Sequence, residues 1–135
     1  MTHKIEDFGR NAGKIWETLN SNGPLNQNIL IRKNKLNENE FYTAIGWLAR
    51  ENKVCKDGNM FKLGETNLND KIGENAGKIW ELLNTIGEID AEYIHKLANI
   101  SKQDAYLAIG WLAKENKIKP KMVKPKKPKL HFKLK

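Results

Sequence analysis

Apolar residues Ala76, Ile79, Trp80 and Leu83 recur every three or four positions and predict an amphipathic helix over Glu74 to Asn84. Gly87 ends that helix or turns the chain. Glu88-Ile89 has room only for a minimal strand. Asp90 is a suitable N-cap for a second helix, Ala91 to Ala98, with Ile94 and Leu97 as its inward side. Asn99-Ile100 makes a short turn, and Ser101 with Asp104 forms a capping-box pattern for a third helix. That helix runs to about Glu115, with Ala105, Ala108, Ile109 and Leu112 on one face. Asn116 suits the left-handed position beyond it, and Ile118 opens a strand.

The same pattern stands earlier in the chain. Gly9 to Val54 realigns on Gly73 to Ile118 at a constant offset of 64, without a gap, and roughly 20 of the 46 paired positions are identical. Asn11-Ala-Gly-Lys-Ile-Trp-Glu17 returns as Asn75-Ala-Gly-Lys-Ile-Trp-Glu81, and Ala44-Ile-Gly-Trp-Leu-Ala49 as Ala108-Ile-Gly-Trp-Leu-Ala113. The first copy adds two strands around Asp57-Gly58, a hairpin signal. The order is helix, short strand, helix, tight turn, helix, hairpin, which fits a helix-turn-helix followed by a wing. The expected fold class is mainly α with small β-hairpins (α+β), as two tandem winged helix-turn-helix domains. Residues 1–64 form repeat 1, residues 65–71 a linker, and residues 72–135 repeat 2 with an extended Lys/Pro-rich wing. Phe132-Lys-Leu134 matches Phe61-Lys-Leu63 at an offset of 71, so about seven residues are inserted in the second wing. Pro120, Pro125 and Pro128 in that stretch are expected to forbid regular pairing and to keep the lysines extended.

The pairing of Ala12-Gly-Lys-Ile-Trp16 with Ala44-Ile-Gly-Trp-Leu-Ala-Arg-Glu51, repeated at Ala76–Trp80 and Ala108–Glu115, resembles a small prokaryotic winged helix-turn-helix family. That family is catalogued as a domain of unknown function in bacteria and archaea. The resemblance implies the fold, and DNA binding follows only by analogy with it.

Charge changes the picture. The net +8 is local: residues 1–64 carry ten Lys/Arg against seven Asp/Glu, residues 65–118 six against nine, and residues 119–135 eight Lys and no acid. The basic excess therefore sits on the second wing. Such a segment binds phosphates by releasing their counterions, without reading bases. The wing residues expected at DNA are Lys119, Lys121, Lys124, Lys126, Lys127 and Lys129. In the third helix of repeat 2, Ser101, Lys102 and Gln103 in the first turn are expected at base edges. Tyr106 and Gly110 are expected further along its outer side. Repeat 1 offers Asn37, Glu38 and Asn39 there, and Glu38 would face phosphates unfavourably.

Gly46 and Gly110 sit inside a helix at a cost of about 1 kcal/mol each, which points to close approach of another element such as the wing or first helix, or of a phosphate backbone or partner. Trp47 and Trp111 flank the core stripe and are candidates for an interface between copies or between chains. His3, His95 and His131 are scattered, the one cysteine, Cys55, has no metal-ligand spacing to them, and no phosphate loop or catalytic motif occurs, so no enzyme, metal or cofactor is expected. The single cysteine and the lack of a long apolar run suggest a reduced cytoplasmic setting, without signal peptide or membrane span. Double-stranded DNA is the expected partner. A protein partner or self-association is the alternative, and no small-molecule ligand is evident.

Overall fold

The computed structural model describes residues 5–123 and 129–135. The first half runs α1 (Ile5–Asn22), β1 (Leu25–Asn26), α2 (Gln27–Asn34), α3 (Glu38–Arg50), β2 (Val54–Asp57) and β3 (Met60–Leu63). The second runs α4 (Asn69–Ile86), β4 (Glu88–Asp90), α5 (Ala91–Ala98), α6 (Lys102–Lys114), β5 (Ile118–Val123) and β6 (Lys129–Leu134). Each half carries a three-stranded antiparallel sheet, ordered β1-β3-β2 and β4-β6-β5. The architecture is mainly α with two small sheets, as the periodicity predicts. Helix α4 is longer than its apolar stripe suggests, starting at Asn69 inside the stretch expected as linker.

The helix ends follow from local chemistry. Asn37 Oδ1 accepts from the Glu40 N–H at 2.8 Å while Glu40 Oε1 accepts from the Asn37 N–H at 3.0 Å, a complete capping box at α3. At α6 Ser101 Oγ accepts from the Asp104 N–H at 3.0 Å. Asp104 is one methylene shorter than Glu40, and its carboxylate instead meets Lys71 Nζ at 3.5 Å. Asn52 and Asn116 take left-handed φ values of 60° and 61° after α3 and α6. In the first hairpin Gly58 has φ 60° and the turn is Gly58-Asn59, one residue beyond Asp57-Gly58.

One expectation about the core is corrected. Leu97 is 51 % exposed, not inward. Helix α5 buries Ala91 and Ile94, with His95 and Ala98 half-buried, so its inner face is the 91/94/95/98 stripe and Leu97 points away.

The two halves share one continuous core, which includes Ile15, Phe41, Ile45 and Leu48 from the first and Ile79, Ile109, Leu112 and Phe132 from the second. The Phe8 ring of α1 lies 6.2 Å from that of Phe132 on β6, bridging the halves. The main junction is α3 against α6. A Cβ on Gly46 would fall 1.9 Å from the Leu107 carbonyl oxygen, and a Cβ on Gly110 would fall 1.9 Å from that of Thr43. The glycines thus permit the close approach anticipated for them, but the approaching element is the other repeat's third helix. Further along, the Arg50 guanidinium sits over the Trp111 ring at 5.5 Å and the Lys114 ammonium over the Trp47 ring at 5.4 Å. Arg50 Nε donates to Glu115 at 3.2 Å, and Lys114 Nζ lies 3.7 Å from Glu51. Late residues of one helix meet late residues of the other, so α3 and α6 run in the same direction, related by the 64-residue offset.

Candidate nucleic-acid interface

The second sheet builds a charged face by simple alternation. Ile118, Ile89 and Phe132 are buried, so residues in phase with them, Pro120, Met122, Leu130 and Leu134, share the inner side. Lys119, Lys121, Lys129, His131 and Lys133 alternate onto the outer side, together with Glu88 and Asp90 of β4. Lys133 was not anticipated from sequence, although its position two residues from His131 carries the signal.

Proline does not prevent pairing here. Pro120 pairs with Phe132 in the register of β5 with β6. The Lys135 N–H donates to the Lys117 carbonyl at 3.0 Å, which sets the hydrogen-bonding phase. Three residues on, Pro120 falls at a non-hydrogen-bonded position of an edge strand, where no N–H is needed. The expectation that the prolines forbid regular pairing is thereby corrected for residues 119–123. Lys124, Lys126 and Lys127, with Pro125 and Pro128, lie outside the described residues.

The lysine face is partly neutralised from within. Glu88 holds Lys121 Nζ at 3.1 Å and accepts from His131 Nδ1–H at 2.8 Å. These two contacts, the histidine hydrogen bond first and the lysine next, hold the Glu88 carboxyl below the usual 4.5. Lys129 Nζ lies 4.0 Å from Asp90. Lys119 is exposed.

Around α6 the picture divides. Ser101, Lys102 and Gln103 are exposed, and the Ser101 hydroxyl serves as the cap. Tyr106, expected on the outer side, is only 6 % exposed. Burial, then the nearby carboxylates of Glu92 and Asp90, push its pKa up to about 12. Gly110 is buried against Thr43. Both placements are corrected: at Gly110 the side of α6 expected to be open is covered by α3, while Tyr106 is buried beside Glu92 and Asp90 of its own repeat. Trp47 and Trp111 are half-buried at that same junction, under Lys114 and Arg50.

A shallow groove of about 510 Å³ runs between α4 and α6, lined by Gly77, Trp80, Glu81, Trp111, Glu115 and Lys117 among others. Among the described residues no three His, Cys, Asp or Glu cluster as metal ligands. No helix among them is long and apolar enough to cross a membrane.

The model of the Winged helix-turn-helix domain (DUF2582) family matches the chain twice, over residues 1–62 and 67–128. The chain belongs to that family. The two matches lie in tandem and follow the two sets of helix–strand–helix–helix–hairpin elements in this DUF2582 chain, the second ending before β6. A comparison with curated proteins finds no match.

Proposed function

We propose that the protein binds duplex DNA through its phosphates, with the outer face of β5–β6 as the main contact and the first turn of α6 beside it. The observation that carries this reading is the charge of that face: Lys119, Lys121, Lys129 and Lys133 stand against only Glu88 and Asp90. Lys124, Lys126 and Lys127 belong to the same wing in sequence. On this reading the contacts are Ser101, Lys102, Gln103 and the wing lysines. Tyr106 supports α6 from inside. The protein acts as a regulatory or chromatin-associated factor in a reducing cytoplasm, and it carries no catalysis.

The test is fluorescence anisotropy of a labelled random-sequence duplex with the full chain at about 50 and 200 mM salt, comparing wild type with a Lys119→Gln, Lys121→Gln, Lys129→Gln variant. Three phosphate contacts would account for on the order of 40-fold of the affinity lost over that range. The variant is therefore expected to bind more weakly at low salt and to lose up to about that much less on raising salt. Equal binding by both proteins, or none by wild type at low salt, sinks the reading.

A second reading, a protein-interaction module without direct DNA contact, draws on α5. Tyr93 and Leu97 stand one turn apart there, 50 % and 51 % exposed. It predicts a heavier species on size exclusion and no duplex binding at any salt concentration.

A further inference from the structure

We infer that this chain recognises duplex DNA without reading its base sequence, because the pairing of α3 with α6 removes the surface that base readout requires. The inference rests on the DNA-binding reading above and specifies its substrate as duplex of any sequence.

A recognition helix works by lying in the major groove and presenting three or four side chains spaced over about two turns of one face. From Ala105 to Ala113 α6 has no exposed residue: Leu107 and Trp111 are half-buried and the rest are buried. Nine consecutive residues span two and a half turns, so every direction around the helix axis is covered. The same holds for α3 from Phe41 to Ala49, where Trp47 is half-buried and the rest are buried.

Displacing α3 to free α6 would undo a contact in which the backbones themselves touch at Gly46 and Gly110. Nor can the pair enter together. The major groove is about 12 Å wide and admits one helix of about 10–12 Å, not two side by side. The parallel sense also brings the two helix starts to the same end of the pair. The heads are therefore not separated by a turn of DNA, about 34–36 Å, as a two-half-site operator demands.

What remains at that end is small. In α6, the Ser101 hydroxyl is held in the cap and is left only its O–H to donate to a phosphate, so Lys102 and Gln103 alone remain for base edges. They are adjacent in sequence, so they point about 100° apart around the helix. Glu38, exposed at the start of α3, lies at the same end and opposes phosphates. Contact is thus left to the lysine face of the second sheet, which bonds to phosphate and carries no base information.

The experiment is repeated selection of the full chain on a pool of randomised duplexes. Anisotropy then compares the selected pool, the starting pool and a Lys102→Ala, Gln103→Ala variant. The expected result is no shared motif, affinities of the two pools within about threefold, and the same small ratio for the variant. Specific sites are bound roughly 10³–10⁷ times more tightly than random DNA. A selected motif bound about 100-fold or more above the starting pool would overturn the inference while leaving DNA binding intact. Failure to bind either pool at low salt overturns the inference together with the reading beneath it.

Discussion

Replacing Gly110 by alanine tests the junction on which the architecture depends. The added Cβ would stand 1.9 Å from the Thr43 carbonyl oxygen and 2.7 Å from its carbon. An ordinary carbon–oxygen contact lies near 3.3 Å, so α3 and α6 must separate locally by more than about 1 Å. Both contacting atoms are backbone in packed helices, so no side chain can rotate aside. Overpacking of this kind costs about 1–3 kcal/mol, and more where backbone must move, while helix propensity returns about 1 kcal/mol. The net expectation is a loss of about 2 kcal/mol for Gly110→Ala, and a similar loss for Gly46→Ala, which meets Leu107 in the same way. Gly77→Ala is the matched control. Gly77 is also in a helix interior, but nothing lies within 4 Å of its added Cβ, so propensity alone should stabilise by about 1 kcal/mol. Urea unfolding followed by far-ultraviolet circular dichroism measures all three variants. If Gly110→Ala were as stable as wild type while Gly77→Ala gained stability, the two helices would not be packed as described.

Other consequences are separable. Glu88→Gln removes the charge between Lys121 and His131, so duplex affinity at low salt should rise and the slope of log affinity against log salt should steepen by up to about one; an unchanged slope would mean that Lys121 makes no phosphate contact. Because the folded-state pKa of Glu88 is depressed, its stabilising contribution is present above the usual 4.5 and fades as pH falls through the lower folded value. The urea midpoint of wild type should therefore fall more than that of Glu88→Gln between about pH 5 and 3. Tyr106, raised to about 12, favours the folded state fully below about pH 10 and loses that contribution as pH rises through its folded value. Difference absorbance near 295 nm should show one fewer tyrosine ionising by about pH 11 in Tyr106→Phe than in wild type only after unfolding. Arg50→Ala removes a contact with Trp111 and a half-exposed ion pair with Glu115, and should cost about 0.5–1 kcal/mol in thermal unfolding; a loss above about 2 kcal/mol would assign Arg50 a larger role.

The element order was legible because its signals are local: apolar spacing at Ala76, Ile79, Trp80 and Leu83, caps at Asn37, Asp90 and Ser101, and a left-handed Asn116. The duplication made each signal visible twice. The glycines at 46 and 110 signalled that something must come close, but not what, since the answer lies 64 residues away in sequence and in the pairing of two helices. That pairing is why Gly110 reads as an outward position on a single repeat: its side of α6 is closed only by α3 of the first repeat. Tyr106 is instead buried beside Glu92 and Asp90 of its own repeat. Leu97 was assigned inward on one apolar match with Ile94 in an eight-residue helix, too short for periodicity to fix its rotation. The wing lysines were legible as charge. Their restraint by Glu88 and Asp90 depends on strand register, which composition does not contain.

The central claim is that duplex DNA meets the second sheet's lysine face and leaves the α3–α6 junction untouched. Amide chemical-shift perturbation of the full chain on adding a random-sequence duplex tests it most directly. Shifts are expected at Lys119, Lys121, Lys129, His131 and Lys133, with smaller ones at Lys102 and Gln103 and none from Ala105 to Ala113. Shifts centred on α1 to α3, or none at low salt, would contradict it.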